Sequence, residues 1–90
     1  MKNVEVIRNF LQKKKARTLN LHTETDGTKF ILVNYETPIA YIEGNDLWIN
    51  ECKYSVTTSK IQHTLRFEAS QSNYNIMEYN QGKTNKKGWR

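Results

Sequence analysis

The chain has 90 residues, of which 37% are hydrophobic and 11% aromatic, a composition that predicts one small folded domain. Fourteen Lys and Arg against nine Asp and Glu give a net charge of +5, which favours polyanionic partners. The longest apolar run, residues 30–33, is too short to span a membrane, and the first ten residues lack the apolar core of a secretory signal. We therefore expect no membrane partner and a cytoplasmic location.

The first element predicted along the chain is an amphipathic helix over residues 3–16. Val4, Ile7 and Leu11 fall on one helical stripe. A run of lysines closes this helix and suits the negative end of the helix dipole. The run therefore has a structural explanation as well as a functional one.

From position 17 the apolar residues alternate, which predicts strands. Leu19 and Leu21 share one side of a first strand, and Asp26 with Gly27 marks a tight hairpin turn. The run "TKFILVNY" is the most apolar strand and is expected to be central. A second hairpin is predicted from residues 39–43 and 47–52, which makes an antiparallel meander of about four strands.

A second helix is predicted over residues 58–70, because Ile61, Leu65 and Ala69 recur at helical spacing. Residues 73–79 are compatible with either a fifth strand or an extended segment. Residues 80–90 have the polarity of a flexible basic tail. The predicted fold class is α+β: an N-terminal helix, the meander and a second helix packed on the sheet, forming one domain over residues 1–79.

The stretch "KYSVTTSK" places three hydroxyl side chains ahead of the second helix. Thr57, Thr58 or Ser59 is suited to cap that helix by accepting a free backbone N–H. Three candidate caps exceed what one helix needs. With Lys60 nearby, the surplus hydroxyls are also suited to bind an anion at the positive helix end. Both interpretations stay open at this stage.

Candidate catalytic and metal-binding residues are few. Cys52 is the single cysteine, and His22 and His63 are isolated, so we expect no disulfide, no metal site and no cofactor. His63 lies four residues after Ser59, but no glycine elbow or oxyanion-hole motif accompanies the pair. The residues predict a protein that is not an enzyme.

Positive charge is concentrated in segments, and such segregation attracts nucleic acid because each neutralised phosphate releases counterions. The alternative is that lysine-rich helix ends and tails are simply well solvated. The predicted nucleic-acid-binding residues are Lys13, Lys14, Lys15, Arg17, Lys60, Arg66, Lys83, Lys86, Lys87 and Arg90.

Two stretches resemble a family of small proteins from bacteriophages and mobile elements. That family pairs a Tyr-x-Thr-x-(Val/Ile)-Ala strand with a Tyr-Ser-x-Thr-Thr-Ser-(Lys/Arg) turn into a helix. The matching residues here are Tyr35, Thr37, Ile39 and Ala40, then Tyr54, Ser55, Thr57, Thr58, Ser59 and Lys60. The resemblance implies a phage origin, hence a host-cell cytoplasm, and implies no mechanism.

A second hypothesis follows from that resemblance: an inhibitor of a host defence system, such as a CRISPR nuclease, that binds a nucleic-acid-handling protein. Aromatic residues dominate protein interfaces, so Tyr41, Trp48 and Trp89 are the predicted partner-binding residues. If the sheet face that carries Tyr41 and Trp48 is open, it also suits base stacking; otherwise the two are half-buried cross-strand neighbours. A homodimer that pairs an exposed edge strand is a further possibility.

Overall fold

The computed structural model describes residues 2–50 and 56–79, and these form two helices and one five-stranded sheet. The elements in chain order are α1 (Asn3–Leu11), β1 (Leu21–Asp26), β2 (Lys29–Asn34), β3 (Thr37–Glu43), β4 (Asp46–Asn50), α2 (Val56–Ala69) and β5 (Asn75–Tyr79). This arrangement confirms the predicted α+β class. Among the described residues, no helix is long and apolar enough to cross a bilayer.

The strands lie in the sheet in the order β1-β2-β3-β4-β5. The first four form the predicted antiparallel meander, and Gly27 (φ +62°) and Gly44 (φ +64°) supply the left-handed backbone at two of its turns. Strand β5 pairs parallel with β4, in a register that places Leu47 beside Ile76 and Trp48 beside Met77. A parallel pair needs a long crossover connection, which contains α2.

Both helices pack on one face of the sheet and enclose the main core. Its buried members are Val6, Ile7, Phe10, Leu21, Leu32, Ile39, Ala40, Ile42, Leu47, Ile49, Ile61, Leu65 and Ala69. Val4 and Ile61 line the same groove near the start of each helix, whereas Arg8 bonds to Glu68 near their ends. The two helices therefore run side by side in the same direction.

The opposite face of the sheet, called the helix-free face below, carries a smaller cluster. Ile31, Val33 and Tyr41 are buried there, and Trp48 and Tyr79 pack against them. Because alternate residues of a strand point to opposite faces, β2 contributes Leu32 to one core and its two neighbours to the other. Both faces of the central strands are thus apolar.

Four sequence-based boundaries differ from the structure. α1 ends at Leu11 rather than at residue 16, and α2 covers Val56–Ala69 rather than 58–70. β1 begins at Leu21, so Leu19 lies in a turn and is fully exposed instead of facing a core. β3, not the more apolar β2, is the central strand.

Two further predictions concerned the C-terminal third of the chain. The ambiguity over residues 73–79 is settled in favour of a strand, β5. The predicted basic tail, residues 80–90, and Cys52, predicted as the end of the fourth strand, lie outside the described residues.

Candidate functional site

The connection between α1 and β1 holds the densest positive charge in the described part of the chain. Lys13, Lys14, Lys15 and Arg17, called the cationic segment below, are all exposed. The end of this connection lies along the outer edge of β1: the Thr23 N–H donates to the Ala16 carbonyl oxygen (3.1 Å), and Arg17 forms a bridge with His22. Arg17, the last cation of the segment, therefore lies at the β1 edge of the sheet.

The cationic segment starts from a helix end with unusual backbone geometry. The Lys13 N–H donates to the Phe10 carbonyl oxygen (2.9 Å) and the Lys14 N–H donates to the Asn9 carbonyl oxygen (2.8 Å), the bond pair of a Schellman motif. Lys13 has φ +60°, a conformation that normally favours glycine and costs other residues about 1–2 kcal/mol. Its Nζ donates to the Gly44 carbonyl oxygen at 3.0 Å, which ties the helix end to the β3–β4 turn.

The cationic segment differs from other basic residues in its ion pairing. Among the described residues, none of its four members forms a salt bridge with a carboxylate, whereas Arg8 pairs with Glu68 at 3.2 Å and Arg66 pairs with Glu78. The hydrogen bond from Arg8 to Glu68, together with the charge of Glu68, raises the pKa of Arg8 above its ordinary value. The charges of the cationic segment are thus available to an external anion.

The structure does not bring the other predicted nucleic-acid-binding residues to this segment. Lys60 lies in the first turn of α2 and lines a groove of about 160 Å³ between the two helices. Arg66 reaches β5, at the sheet edge opposite β1. Lys83, Lys86, Lys87 and Arg90 lie outside the described residues.

The hydroxyl-rich stretch has a structural use at Thr58. Because α2 begins at Val56, Thr57, Thr58 and Ser59 all fall within its first turn. The buried Thr58 hydroxyl donates to Asn34 Oδ1 (2.6 Å), and Asn34 Nδ2 donates to the Asn20 carbonyl oxygen (2.7 Å). Thr58 therefore links α2 to the ends of β1 and β2.

A second series of buried hydrogen bonds links α2 to β4 and β3. Gln62 Nε2 donates to the Asn50 carbonyl oxygen (2.5 Å), and Asn50 Nδ2 donates to the Pro38 carbonyl oxygen (3.2 Å). Buried polar groups need such partners, because an unsatisfied one costs about 1–3 kcal/mol. The turn of α2 that carries the motif is therefore fixed to the sheet by polar contacts.

The predicted partner-binding aromatics lie on the helix-free face. The rings of Tyr41 and Trp48 stack with centroids 6.0 Å apart, and Tyr79 packs against Tyr41 at the same separation. Tyr41 is only 8% exposed, and burial, with the nearby charge of Glu43, raises the pKa of its hydroxyl. These aromatics form a packed cross-strand cluster, and Trp89 lies outside the described residues.

Two exposed residues at the other end of the cationic segment were not predicted. Leu19 is fully exposed, and Tyr35 is 63% exposed with φ +57°. The Tyr35 N–H donates to the Asn20 carbonyl oxygen at 2.9 Å, so both residues lie at adjoining turns. The sequence signal that could have indicated Tyr35 is its place in the two-residue turn between β2 and β3, because the tip of a hairpin turn is normally exposed to solvent.

The described residues offer few groups for metal binding or nucleophilic chemistry. No group of three or more His, Cys, Asp or Glu side chains is placed there to hold a metal ion. Ser59 and His63 share α2, and no hydrogen bond between them is present.

The comparisons with known proteins give a family and no precedent for function. No curated protein and no solved structure matches the chain significantly. A family model described as a family of unknown function, DUF8033, matches residues 6–86, almost the whole chain. The chain therefore belongs to the DUF8033 family.

Proposed function

We propose that this chain is a non-enzymatic protein that binds nucleic acid through the cationic segment, as an accessory protein of a bacteriophage or mobile element. The observation that carries the proposal is a run of four exposed cations within five residues, with no salt bridge among the described residues. The resemblance of the Tyr35 and Tyr54 motifs to small phage proteins supports the origin.

The spacing of these cations suits a phosphate backbone. Positions 13 to 17 span at most about 13 Å of chain. A DNA duplex presents one phosphate charge per about 1.7 Å of axis, so several phosphates face a segment of this length. Among the described residues, the side chains of Lys14, Lys15 and Arg17 form no hydrogen bond or salt bridge, so these long side chains adapt to phosphates without rearranging the sheet.

The strained Lys13 gives a second reason. A backbone conformation that costs stability is kept where the side chain at that position has a use. Here the left-handed Lys13 turns the chain from α1 onto the β1 edge, and its Nζ contacts the Gly44 carbonyl oxygen. A lysine at this position adds a cation where glycine would add none.

The cationic segment also has a purely structural explanation. Edge strands expose unpaired backbone groups, and lysines at an edge discourage pairing with other chains. Edge protection requires charge but no particular ligand, whereas nucleic-acid binding predicts affinity that depends steeply on salt. The two explanations therefore separate in one measurement.

The experiment is fluorescence anisotropy with a labelled mixed-sequence DNA duplex and its RNA counterpart, at several salt concentrations. The test variant is the triple Lys14→Gln, Lys15→Gln, Arg17→Gln. We expect the wild-type affinity to fall steeply with salt, and the variant to lose about 2.7 from the log–log slope, at about 0.9 per phosphate contact.

A matched control removes the same charge elsewhere. The triple Lys2→Gln, Lys29→Gln, Lys53→Gln lowers the net charge by three and changes none of the predicted nucleic-acid-binding residues. If both triples lose equal affinity, the net charge explains binding and the segment does not. A flat salt response of the wild type, or no binding to either probe, would remove the proposal.

A protein-binding inhibitor of a host nucleic-acid-handling enzyme is the second candidate. The exposure of Leu19 and Tyr35 favours it, because large apolar side chains at a surface mark protein contacts. This candidate predicts a complex from host lysate that survives high salt and nuclease treatment, and that Leu19→Ser with Tyr35→Ser abolishes.

A further inference from the structure

An open cavity of about 250 Å³ lies where three segments of the chain meet: the end of α1, the β3–β4 turn and the connection between α2 and β5. Its lining residues are Gln12, Lys13, Asn45, Asn73 and Tyr74. Three of these five residues have a side-chain amide, none is acidic, and Lys13 is also the first cation of the cationic segment. The cavity therefore adjoins the surface that is proposed to contact phosphate.

Hydrogen bonds connect the three segments around the cavity in a closed ring. Lys13 Nζ donates to a carbonyl oxygen of the β3–β4 turn at 3.0 Å. The Asn75 N–H donates to the Asn45 carbonyl oxygen (2.9 Å), which links that turn to the start of β5. The Tyr74 hydroxyl donates to the Leu11 carbonyl oxygen (2.7 Å) and so closes the ring at α1. The walls of the cavity are thus in place before a ligand arrives, which lowers the entropic cost of binding.

The amide side chains of the lining have hydrogen-bonding groups to offer a ligand. Within residues 2–50 and 56–79, the side chains of Gln12 and Asn73 form no hydrogen bond, and Asn45 Nδ2 makes only a long bond of 3.4 Å to the Asn73 carbonyl oxygen. Each amide has one carbonyl acceptor and two N–H donors. The cavity therefore presents donors and acceptors side by side.

This mixture of donors and acceptors discriminates between classes of ligand. A phosphate or carboxylate only accepts hydrogen bonds and would leave the amide oxygens without a partner, and an apolar ligand would leave every amide group unpaired. A nucleobase has donors and acceptors along one planar edge, which amide side chains match. The cavity volume is several times the roughly 30 Å³ of one water molecule, so there is room for a single base.

We propose that this cavity receives one unpaired base of a single-stranded nucleic acid whose phosphates contact the cationic segment. This inference rests on the proposed nucleic-acid binding and deepens it, because it names the form of the nucleic acid. The bases of a duplex are paired and stacked, whereas those of a single strand are free to turn outward. Because Lys13 belongs to both surfaces, a strand that lies along residues 14–17 brings a base to the cavity.

Two lining residues complement the amides. Tyr74 is the aromatic member of the lining, half-buried and fixed by its hydroxyl bond, and aromatic side chains stack on bases of any sequence. Lys13 Nζ uses one of its three N–H donors on the Gly44 carbonyl oxygen and keeps two for a phosphate. The amides would then recognise the edge of the base, while Lys13 holds the backbone beside it.

Fluorescence anisotropy with three labelled probes, each made as DNA and as RNA, tests this inference. The probes are a mixed-sequence single strand, a strand of equal length that lacks its bases, and a duplex. The base-free strand has the same phosphates and therefore measures the contribution of charge alone. At equal salt concentration we expect the wild type to bind the single strand at least about fivefold more tightly than the base-free strand.

Asn73→Ala tests the cavity itself, and Gln71→Ala is its matched control. Both positions are exposed amides in the α2–β5 connection, but Asn73 lines the cavity and Gln71 does not. We expect Asn73→Ala to lower the affinity for the single strand about two- to tenfold, and to leave the affinities for the base-free strand and the duplex unchanged. Gln71→Ala should change none of the three affinities.

Each outcome decides the inference. A preference for the single strand that falls in Asn73→Ala but not in Gln71→Ala supports it. Equal wild-type affinity for the single strand and the base-free strand, with steep salt dependence for the duplex, overturns the inference but not the proposed function, and no binding to any probe overturns both. A preference that both variants keep or lose alike places the base elsewhere and overturns the inference as well. Circular dichroism verifies that both variants are folded.

Discussion

The two edges of the sheet differ in what the chain places on them. At the β1 edge, residues 16 and 17 pair with the strand, and Arg17 adds an exposed cation there. At the β5 edge, Ile76 and Met77 are exposed, and the strand itself contains no lysine. Both edges have the same kind of backbone groups, yet one has a charged cover and the other an apolar border.

The difference follows from how each strand is reached. β1 comes after a short connection from the end of α1, and this connection places residues 16 and 17 against the strand. β5 comes after the crossover through α2 and is the last strand added, so it lies outermost. One sheet therefore has two unlike edges, with a cation beside β1 and exposed apolar side chains on β5.

Exchanging one side chain between the edges would break this comparison most strongly. The double variant Arg17→Met, Met77→Lys keeps the net charge of +5. We expect a salt slope for duplex DNA that is smaller by about 0.9, because the exchanged cation no longer belongs to the cationic segment. Fluorescence anisotropy measures the slope.

The single variants assign each effect to its edge. Met77→Lys alone should leave the salt slope unchanged or make it slightly steeper, and Arg17→Met alone should show the smaller slope. If Met77→Lys restored the slope in the double variant, the position of the cation would not matter and the comparison would be wrong.

Thr58→Val changes neither edge of the sheet. It tests the packing of α2 on the sheet, which supports both edges. The substitution keeps the side-chain shape but removes the hydroxyl that donates to Asn34 Oδ1. We expect the free energy of unfolding to fall by about 1–3 kcal/mol, because a buried acceptor loses its donor. Urea denaturation measures it.

The matched control is Ser59→Ala, one position along the same turn, which should change stability by less than about 0.5 kcal/mol. The folded Thr58→Val protein should bind duplex DNA with wild-type salt dependence. A large loss of binding with unchanged stability would instead make the hydroxyl-rich stretch an anion site, the interpretation that the sequence left open.

Periodicity predicted the larger elements because it reports burial directly. Ile61, Leu65 and Ala69 were expected on one helical stripe, and all three are buried in the main core. Asp26 and Gly27 were expected to form a hairpin turn, and Gly27 has the positive φ that such turns use. These signals are local in sequence, so they can be recognised without knowledge of the fold.

The remaining features depend on contacts that are distant in sequence. A lysine run at a helix end is compatible with a longer helix, and nothing in "QKKKAR" marks Lys13 as the left-handed residue that ends α1. Residues 75–79 contain only two strongly apolar side chains, so neither their pairing with β4 nor its parallel direction was predictable. The separation of Arg66 from the cationic segment likewise emerges only from the strand order.

Lys13→Gly is expected to have the smallest effect. It separates the structural role of Lys13 from its role in binding, because the change should raise stability but weaken binding to DNA. Glycine relieves the strained left-handed conformation but loses the side-chain bond to Gly44, so we expect a net gain of up to about 1 kcal/mol in unfolding free energy. The same change removes one cation, and the duplex DNA salt slope should fall by about 0.9.

Lys14→Gly is the matched control, because position 14 has no positive φ. It removes an equal charge but relieves no strain, so it should lower the salt slope equally while lowering stability. A protein stabilised by Lys13→Gly yet unchanged in DNA affinity would show that Lys13 takes no part in binding nucleic acid. A gain in unfolding free energy together with a smaller DNA salt slope would instead mean that the native lysine reduces stability but contacts phosphate.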